Sequence, residues 1–323
     1  MSDRTELPAF VGIDSAMYTT SNIDFGVKFF RDWGLELVSQ TDGFADLTTE
    51  QGSRIVLTNG ATGAPGGVGE RARSEGFRGV IWGVKSAGDI DKVEARLKGA
   101  SSLRRDADGT LFAADPFGYD IGFRVWRFAP LAPARMLVNS PGLKLRISSP
   151  APAYSSVKPS RIGHVVFEVA NPSDLKRAEE FYTGCLGFNL SDRYVEQAAF
   201  LRCAVEQDHH NVALLDTKGG ESVFQHVAFE MRDIHEVFSG GLKFSELGGE
   251  TAIGPGRHKF SSAYFWYFNN PIGGQVEYFA DMDFLDASWE PREPQPSPST
   301  IAEWAIPRGA KRFKSMKDLS ESN

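Results

Sequence analysis

The stretch RIGHVVFEVANPSDLKRAEEFYTGCLGFNL (161–190) decides the fold, because the chain carries its pattern twice. HVVFEV alternates around apolar positions, as a β-strand does. Asn171-Pro172-Ser173-Asp174 then breaks the strand and offers a helix cap. LKRAEEFY (175–182) follows at helical spacing and is closed by Gly184 and Gly187. An earlier stretch, VGIDSAMYTTSNIDFGVKFFRDWGLEL (11–37), has the same order. It reads as a strand, a polar Ser21-Asn22-Ile23-Asp24 turn, a helix ending in Phe29-Phe30, and then Trp33-Gly34-Leu35.

The rest of each copy matches as well. FRGVIWGV (77–84) parallels FQHVAFEM (224–231), and each leads into a short acidic helix, DIDKVEARL (89–97) and DIHEVFSGG (233–241). DPFGYDIGF (115–123) parallels NPIGGQVEY (270–278), an Asx-Pro turn feeding a last strand. The order expected of each copy is strand, helix, then three strands. Expected boundaries are an N-terminal module over 1–135, a Pro- and Ser-rich linker over 136–160, a C-terminal module over 161–285, and a Pro-, Ser- and Lys-rich tail over 286–323. The tail is expected to wrap the surface or to be partly disordered.

Composition narrows the class. A chain of 323 residues exceeds one typical domain, and 41% hydrophobic with 24% charged residues is a globular mix. The net charge of −7 comes with no dense Lys/Arg stripe, so neither nucleic acid nor an acidic membrane surface is the expected partner. Residues 1–13 lack the charged and apolar regions of a signal peptide, and no apolar run reaches bilayer-spanning length. The two cysteines, Cys185 and Cys203, have neither zinc spacing nor a disulfide framework. A reduced, cytoplasmic protein is expected.

The repeat works as an internal control. In the second copy His164 opens one strand, His226 opens another and Glu277 closes a third. The first copy has Asp14 or its neighbours, Gly79 and Gly122 at those places. Glycine side chains cannot ligate, so the first module has no triad. Two histidines and one carboxylate form the facial ligand set of non-haem Fe(II) enzymes, whose opposite face stays open to substrate and O2.

These motifs together resemble the vicinal oxygen chelate (glyoxalase–bleomycin resistance–dioxygenase) superfamily. The resemblance implies an α+β fold of two tandem βαβββ modules in curved half-barrel sheets. Within it, GPGRHKFSSAYFWYFNNPIGGQVEY (254–278) is similar to the signature of type I extradiol ring-cleaving dioxygenases. The parts are Gly256, His258, Tyr267, the Asn270-Pro271-Ile272-Gly273 turn and Glu277, with Trp266 departing from the usual residue before the tyrosine. The change keeps bulk and would reshape the pocket wall only if Trp266 faced it; in the aromatic run AYFWYF, Tyr264 and Trp266 are expected to be core or opposite-face residues.

The doublet His209-His210 stands before Asn211-Val212-Ala213-Leu214, at the start of a returning strand. In the resembling enzymes the histidine before such an x-x-Ala-Leu strand lies near the open coordination face, which here is His210. His209 is expected to point the other way.

The resemblance implies that His164, His226 and Glu277 hold Fe(II), with Mn(II) the other admissible metal. It also implies that His210 moves protons, while Tyr267 and His258 meet the ligated substrate oxygen. The activity implied is meta cleavage of a catechol-type aromatic diol by O2, in a homo-oligomer. The alternatives are a glyoxalase-like isomerase or lyase, which needs four ligands drawn from both modules, and a metal-free small-molecule-binding protein of the same fold. His235 is expected to be exposed, and Glu168 and Glu230 to be solvated at strand ends. The substrate walls are expected from loops near 200, 240–262 and the linker.

Overall fold

The structure, a computed structural model, describes residues 6–60, 67–71, 74–131, 137–151, 157–297, 300 and 302–307. The expected module boundary at 135/136 and the tail beyond 307 lie outside these residues. The first sheet is built from β1 (Phe10–Thr19), β2 (Glu36–Thr41), β3 (Phe44–Thr48), β4 (Arg54–Thr58), β5 (Gly76–Val84), β6 (Arg104–Arg105), β7 (Leu111–Ala114) and β8 (Asp120–Val125). Helix α1 (Ile23–Asp32) follows β1, and α2 (Ala87–Leu97) follows β5. The strands lie in the order β2-β3-β4-β1-β5-β8-β7-β6.

The second sheet contains β9 (Arg161–Val169), β10 (Asn189–Tyr194), β11 (Ala198–Arg202), β13 (Val212–Asp216), β14 (Val223–Glu230), β15 (Thr251–His258), β16 (Tyr264–Asn269), β17 (Gln275–Ala280) and β19 (Ala302–Ala305). Its order is β10-β11-β13-β9-β14-β17-β16-β15-β19, and a small separate ladder joins β12 (Gln207–Asp208) to β18 (Phe284–Leu285). Helix α3 (Pro172–Glu180) follows β9, continuing into a π-helical turn, and α4 (Ile234–Glu246) follows β14.

The repeat is therefore finer than the sequence suggests: each curved sheet holds two strand–helix–three-strand units. The leading strands β1 and β5, or β9 and β14, pair antiparallel at the centre. Each also runs parallel to the closing strand of its own unit, β4, β8, β13 or β17. A parallel pair cannot be joined by a tight hairpin, which is why every unit inserts a helix before returning. The helix starts share one device. The side chains of Asn22, Ser86, Asn171 and Asp233 each accept a hydrogen bond from a backbone N–H of the first turn.

One hydrophobic core runs through both sheets, and aromatic rings cross between them. Phe77 stacks on Phe224, and Trp33 on Tyr278, each pair with ring centroids 3.6 Å apart. Tyr278 Oη donates to the Trp33 carbonyl at 2.5 Å, and the Phe224 N–H donates to Tyr119 Oη at 2.9 Å. Buried rings of this kind contribute on the order of 0.5–1.5 kcal/mol per pair beyond area burial. The first module thus buttresses the second. Among the described residues, no helix is long and apolar enough to cross a membrane.

Candidate metal centre

β9, β14 and β17 are adjacent at the middle of the second sheet. Ala228 of β14 is paired with His164 on one side and with Glu277 on the other. Tyr267 of β16 pairs with Glu277 and extends the row. His226 lies two residues before Ala228, so strand alternation puts it on the same face. The sheet's own register therefore gathers these side chains, and the methyl of Ala228 leaves the space between them open.

The three candidate ligands are not at strand ends, as the sequence suggested, but inside their strands. The strands extend further because flanking apolar positions such as Ile162, Phe224 and Phe279 pair and bury. All three are consequently buried.

Glu277 Oε2 is 3.0 Å from His164 Nε2 and 3.0 Å from His226 Nε2, and one ligand atom from each residue falls within 4.8 Å of the others. The His226 imidazole donates through Nδ1 to Gln225 Oε1, which leaves a lone pair on Nε2. That Nε2 and Glu277 Oε1 are buried and make no hydrogen bond among the described residues. Buried polar atoms left this way are costly. A divalent cation satisfies both, so the donor set fits one.

The ionisation states agree with this. Burial pushes the His164 imidazole down to about 4, so it is a neutral donor at neutral pH. Burial opposes charge on Glu277, but His164, His226 and His258 outweigh it and hold the carboxyl well below its ordinary range. Metal binding needs such deprotonated ligands.

The other three candidates border the same centre. Tyr267 Oη and His258 Nε2 are 2.9 Å apart, and His258 Nε2 is 3.6 Å from Glu277 Oε1. Burial, reinforced by Glu277, raises the Tyr267 hydroxyl well above its usual range, so it stays an O–H donor. His210 lies in the link between β12 and β13, with its ring centroid 4.3 Å from that of His164. Burial keeps its imidazole well below the ordinary range.

These groups open onto a cavity of about 560 Å³. Tyr194, Phe200 and Phe260 form its aromatic wall, with Ile253 and Ala213 nearby. The linker takes no part among the described residues. The tail does: Ser297, Thr300 and Ala302 border the cavity, Tyr194 Oη donates to the Thr300 carbonyl at 2.8 Å, and β19 pairs with β15.

The first module shows what the same framework looks like without a site. Its register puts Ser15, Gly79 and Gly122 at the places of His164, His226 and Glu277. Phe112 pairs with Gly122 as Tyr267 pairs with Glu277. Met17, Val56, Ile81 and Phe112 pack together where the second module has Val166, Ala213, Ala228 and Tyr267. A Cβ on Gly79 would lie 2.0 Å from the Asp120 carbonyl oxygen, so no ligand side chain fits there.

Several other expectations resolve. Trp266 turns away from the cavity, buried against Gly241 of α4, with Nε1 donating to Thr251 Oγ1 at 3.1 Å; it does not reshape the pocket wall. Glu168 borders the cavity rather than only solvent, whereas Glu230 pairs with Arg161. His235 is exposed at the start of α4. Arg257 donates to the Ser262 carbonyl at 3.1 Å and lies over the Tyr264 ring. Sequence reasoning missed Gln225, Asp192 and Arg292. No local pattern in the sequence pointed to them.

Residues 161–278 match the Glyoxalase/Bleomycin resistance protein/Dioxygenase superfamily. The chain is 32% identical over 199 residues to metapyrocatechase 2 of Cupriavidus necator, which covers 56% of this chain and 59% of that protein, less than two thirds of its length. It is 25% identical over 296 residues to a manganese-dependent 2,3-dihydroxybiphenyl 1,2-dioxygenase of Geobacillus genomosp. 3, covering 85% of this chain and 86% of the relative. The solved homoprotocatechuate 2,3-dioxygenase of Arthrobacter globiformis superposes with a TM-score of 0.71 at 18% identity, over 94% of this chain and 90% of that one. At that identity the likeness concerns the fold.

Proposed function

We propose that this chain, whose residues 161–278 belong to the Glyoxalase/Bleomycin resistance protein/Dioxygenase superfamily, is an extradiol dioxygenase that opens a catechol-type ring beside its two hydroxyls. The observation that carries the proposal is the convergence on one cavity of His164, His226 and Glu277 with His210, Tyr267 and His258. These three residues would supply the protein donors to a divalent metal, and the cavity beside them would admit a diol and O2. The module that repeats the fold without these residues is packed with apolar side chains instead.

His164, His226 and Glu277 would hold Fe(II), which would supply Lewis acidity toward the diol and redox chemistry toward O2. Mn(II) is the second metal that the donor set admits, and one relative is named as manganese-dependent. The Tyr267 hydroxyl and His258 Nε2, side by side at 2.9 Å, orient one diol oxygen. His210 accepts the proton of the other hydroxyl and returns it as the ring opens, a task suited to an imidazole. Phe200, Phe260 and Tyr194 clamp the ring and exclude water.

No Lys or Arg borders the cavity among the described residues, whereas Glu168 and Asp216 do. That supports a diol without an anionic substituent. The cavity's size is in the range of small-molecule sites and accommodates either a mono- or a bicyclic ring. A glyoxalase-like centre shared between modules is disfavoured by Ser15, Gly79 and Gly122, which offer no ligands.

The test is anaerobic loading with Fe(II) or Mn(II), followed by a panel of mono- and bicyclic catechols. The expected result is about one metal per chain, diol-dependent O2 uptake and a yellow ring-opened product. Metal-loaded protein that consumes no O2 with any diol refutes the proposal.

A further inference from the structure

His209 does not face the cavity, yet it is fully buried and spans two polar partners. Its Nε2 is 2.7 Å from Asp192 Oδ2, and its Nδ1 is 3.1 Å from His210 Nδ1. Asp192 is itself fully buried and is clamped by Arg292 from the tail. The Arg292 backbone N–H donates to Asp192 Oδ1 at 2.7 Å, and its Nε donates at 3.0 Å to Oδ2, which Nη2 also meets. The Arg292 guanidinium lies 4.6 Å over the Phe260 ring, and its carbonyl accepts from Arg193 N–H at 2.9 Å.

We propose that Asp192 and His209, held by Arg292 of the tail, form a positioning chain that fixes His210 with its proton on Nδ1 and its Nε2 lone pair facing the cavity. Burial holds the His209 imidazole below its ordinary range, so it is neutral, and the proton count then follows from its two contacts. The Asp192 carboxylate, already the acceptor of the Arg292 donors, accepts from His209 as well, so His209 carries its hydrogen on Nε2. His209 Nδ1 is then an acceptor, and the donor that meets it is His210 Nδ1. That leaves His210 Nε2 as the free nitrogen, with no hydrogen bond among the described residues.

The consequence for turnover rests on the proposed ring cleavage, because it is there that His210 takes up a proton. An imidazole in the opposite tautomer presents an N–H to the diol and cannot do so. The doublet therefore divides its labour: His210 touches substrate, and His209 is a positioning residue. The tail enters the site chemically, through Arg292, as well as by bordering the cavity.

Histidine-labelled full-length protein, loaded with Zn(II) as a diamagnetic stand-in, tests the chain directly by long-range proton–nitrogen correlation. The expected wild-type result is protonated Nδ1 and unprotonated Nε2 on His210. In His209→Phe, which keeps a ring but no acceptor, this preference is lost; His209→Asn keeps an acceptor near the Nδ1 position and restores it. In the Fe(II) enzyme, His209→Phe lowers kcat by about 10- to 100-fold, up to the low end of what general acid–base catalysis contributes. KM for the diol and metal content stay within about twofold, and His209→Asn recovers most of the rate. A wild-type His210 protonated on Nε2, or a His210 tautomer unchanged in His209→Phe, overturns the proposal. Wild-type protein without diol-dependent O2 uptake refutes the ring-cleavage proposal instead, and the tautomer measurement still decides the positioning chain.

Discussion

In the proposed ring cleavage, replacing His210 with alanine separates proton transfer from metal binding. His210 is buried at the cavity wall, and its ring lies against His164 without joining the cluster of ligand atoms. The backbone around it is pinned by Asn211. Asn211 Oδ1 accepts from Cys203 N–H at 2.9 Å, its Nδ2 donates to the Gly163 carbonyl at 3.0 Å, and its carbonyl accepts from Val165 N–H at 3.0 Å. The truncation therefore leaves β9 and β13 in place. It strands His209 Nδ1 without a donor, a loss of about 1–3 kcal/mol of stability for an unsatisfied buried group. General acid–base catalysis contributes about 10²–10⁴-fold, so kcat should fall by that factor, equivalent to about 2.7–5.5 kcal/mol of barrier. An oxygen electrode at saturating catechol measures the rate, and metal analysis of the same sample measures iron per chain. A variant with full iron and kcat within about threefold of wild type refutes the assignment. Loss of iron would make His210 a ligand rather than an acid–base group.

The same geometry predicts four further outcomes. Tyr267→Phe should keep its metal and lose about 10²-fold in kcat/KM, the cost of removing one preorganised donor, as read from steady-state O2 uptake. Phe112→Ala, in the filled first module, should cost about 3–5 kcal/mol in urea unfolding and leave one metal per chain. Burial opposes ionisation of Asp192, but His209 and Arg292 prevail and depress its carboxyl. That stabilisation is present above the unfolded carboxylate value near ~3.9 and is lost as pH falls through the lower folded value. The stability gap between wild type and Asp192→Asn in urea titrations should therefore narrow below about pH 4. Removing metal with a chelator should lower the thermal midpoint of wild type, while Glu277→Ala should show no such metal-dependent shift.

How much of this was legible beforehand differs from residue to residue. The repeat, the α+β class and the blank first copy follow from local patterns: alternation, an Asx cap, and glycines where the other copy has donors. Period-two alternation also assigns His209 and His210 to opposite sides. It does not reveal what His209 meets, because Asp192 lies 17 residues away on β10, and Asp192's own partner Arg292 lies 100 residues further on. Trp266 shows the same limit from the other side: the aromatic run AYFWYF marks it as core or opposite-face, as the structure finds, but only the packing against Gly241 names the helix that covers it.

Sequence by itself determined which residues are candidate ligands and the side of each strand they occupy, since side-chain direction along a strand is a local property. Tertiary structure decided the rest. The pairing of β9, β14 and β17 brings His164, Ala228 and Glu277 into one row, and Ala228 rather than Ile81 keeps the space before them open. The tail then closes the cavity and holds Asp192. Register and closure are contacts between distant segments, set by which faces bury together, and no local periodicity encodes them.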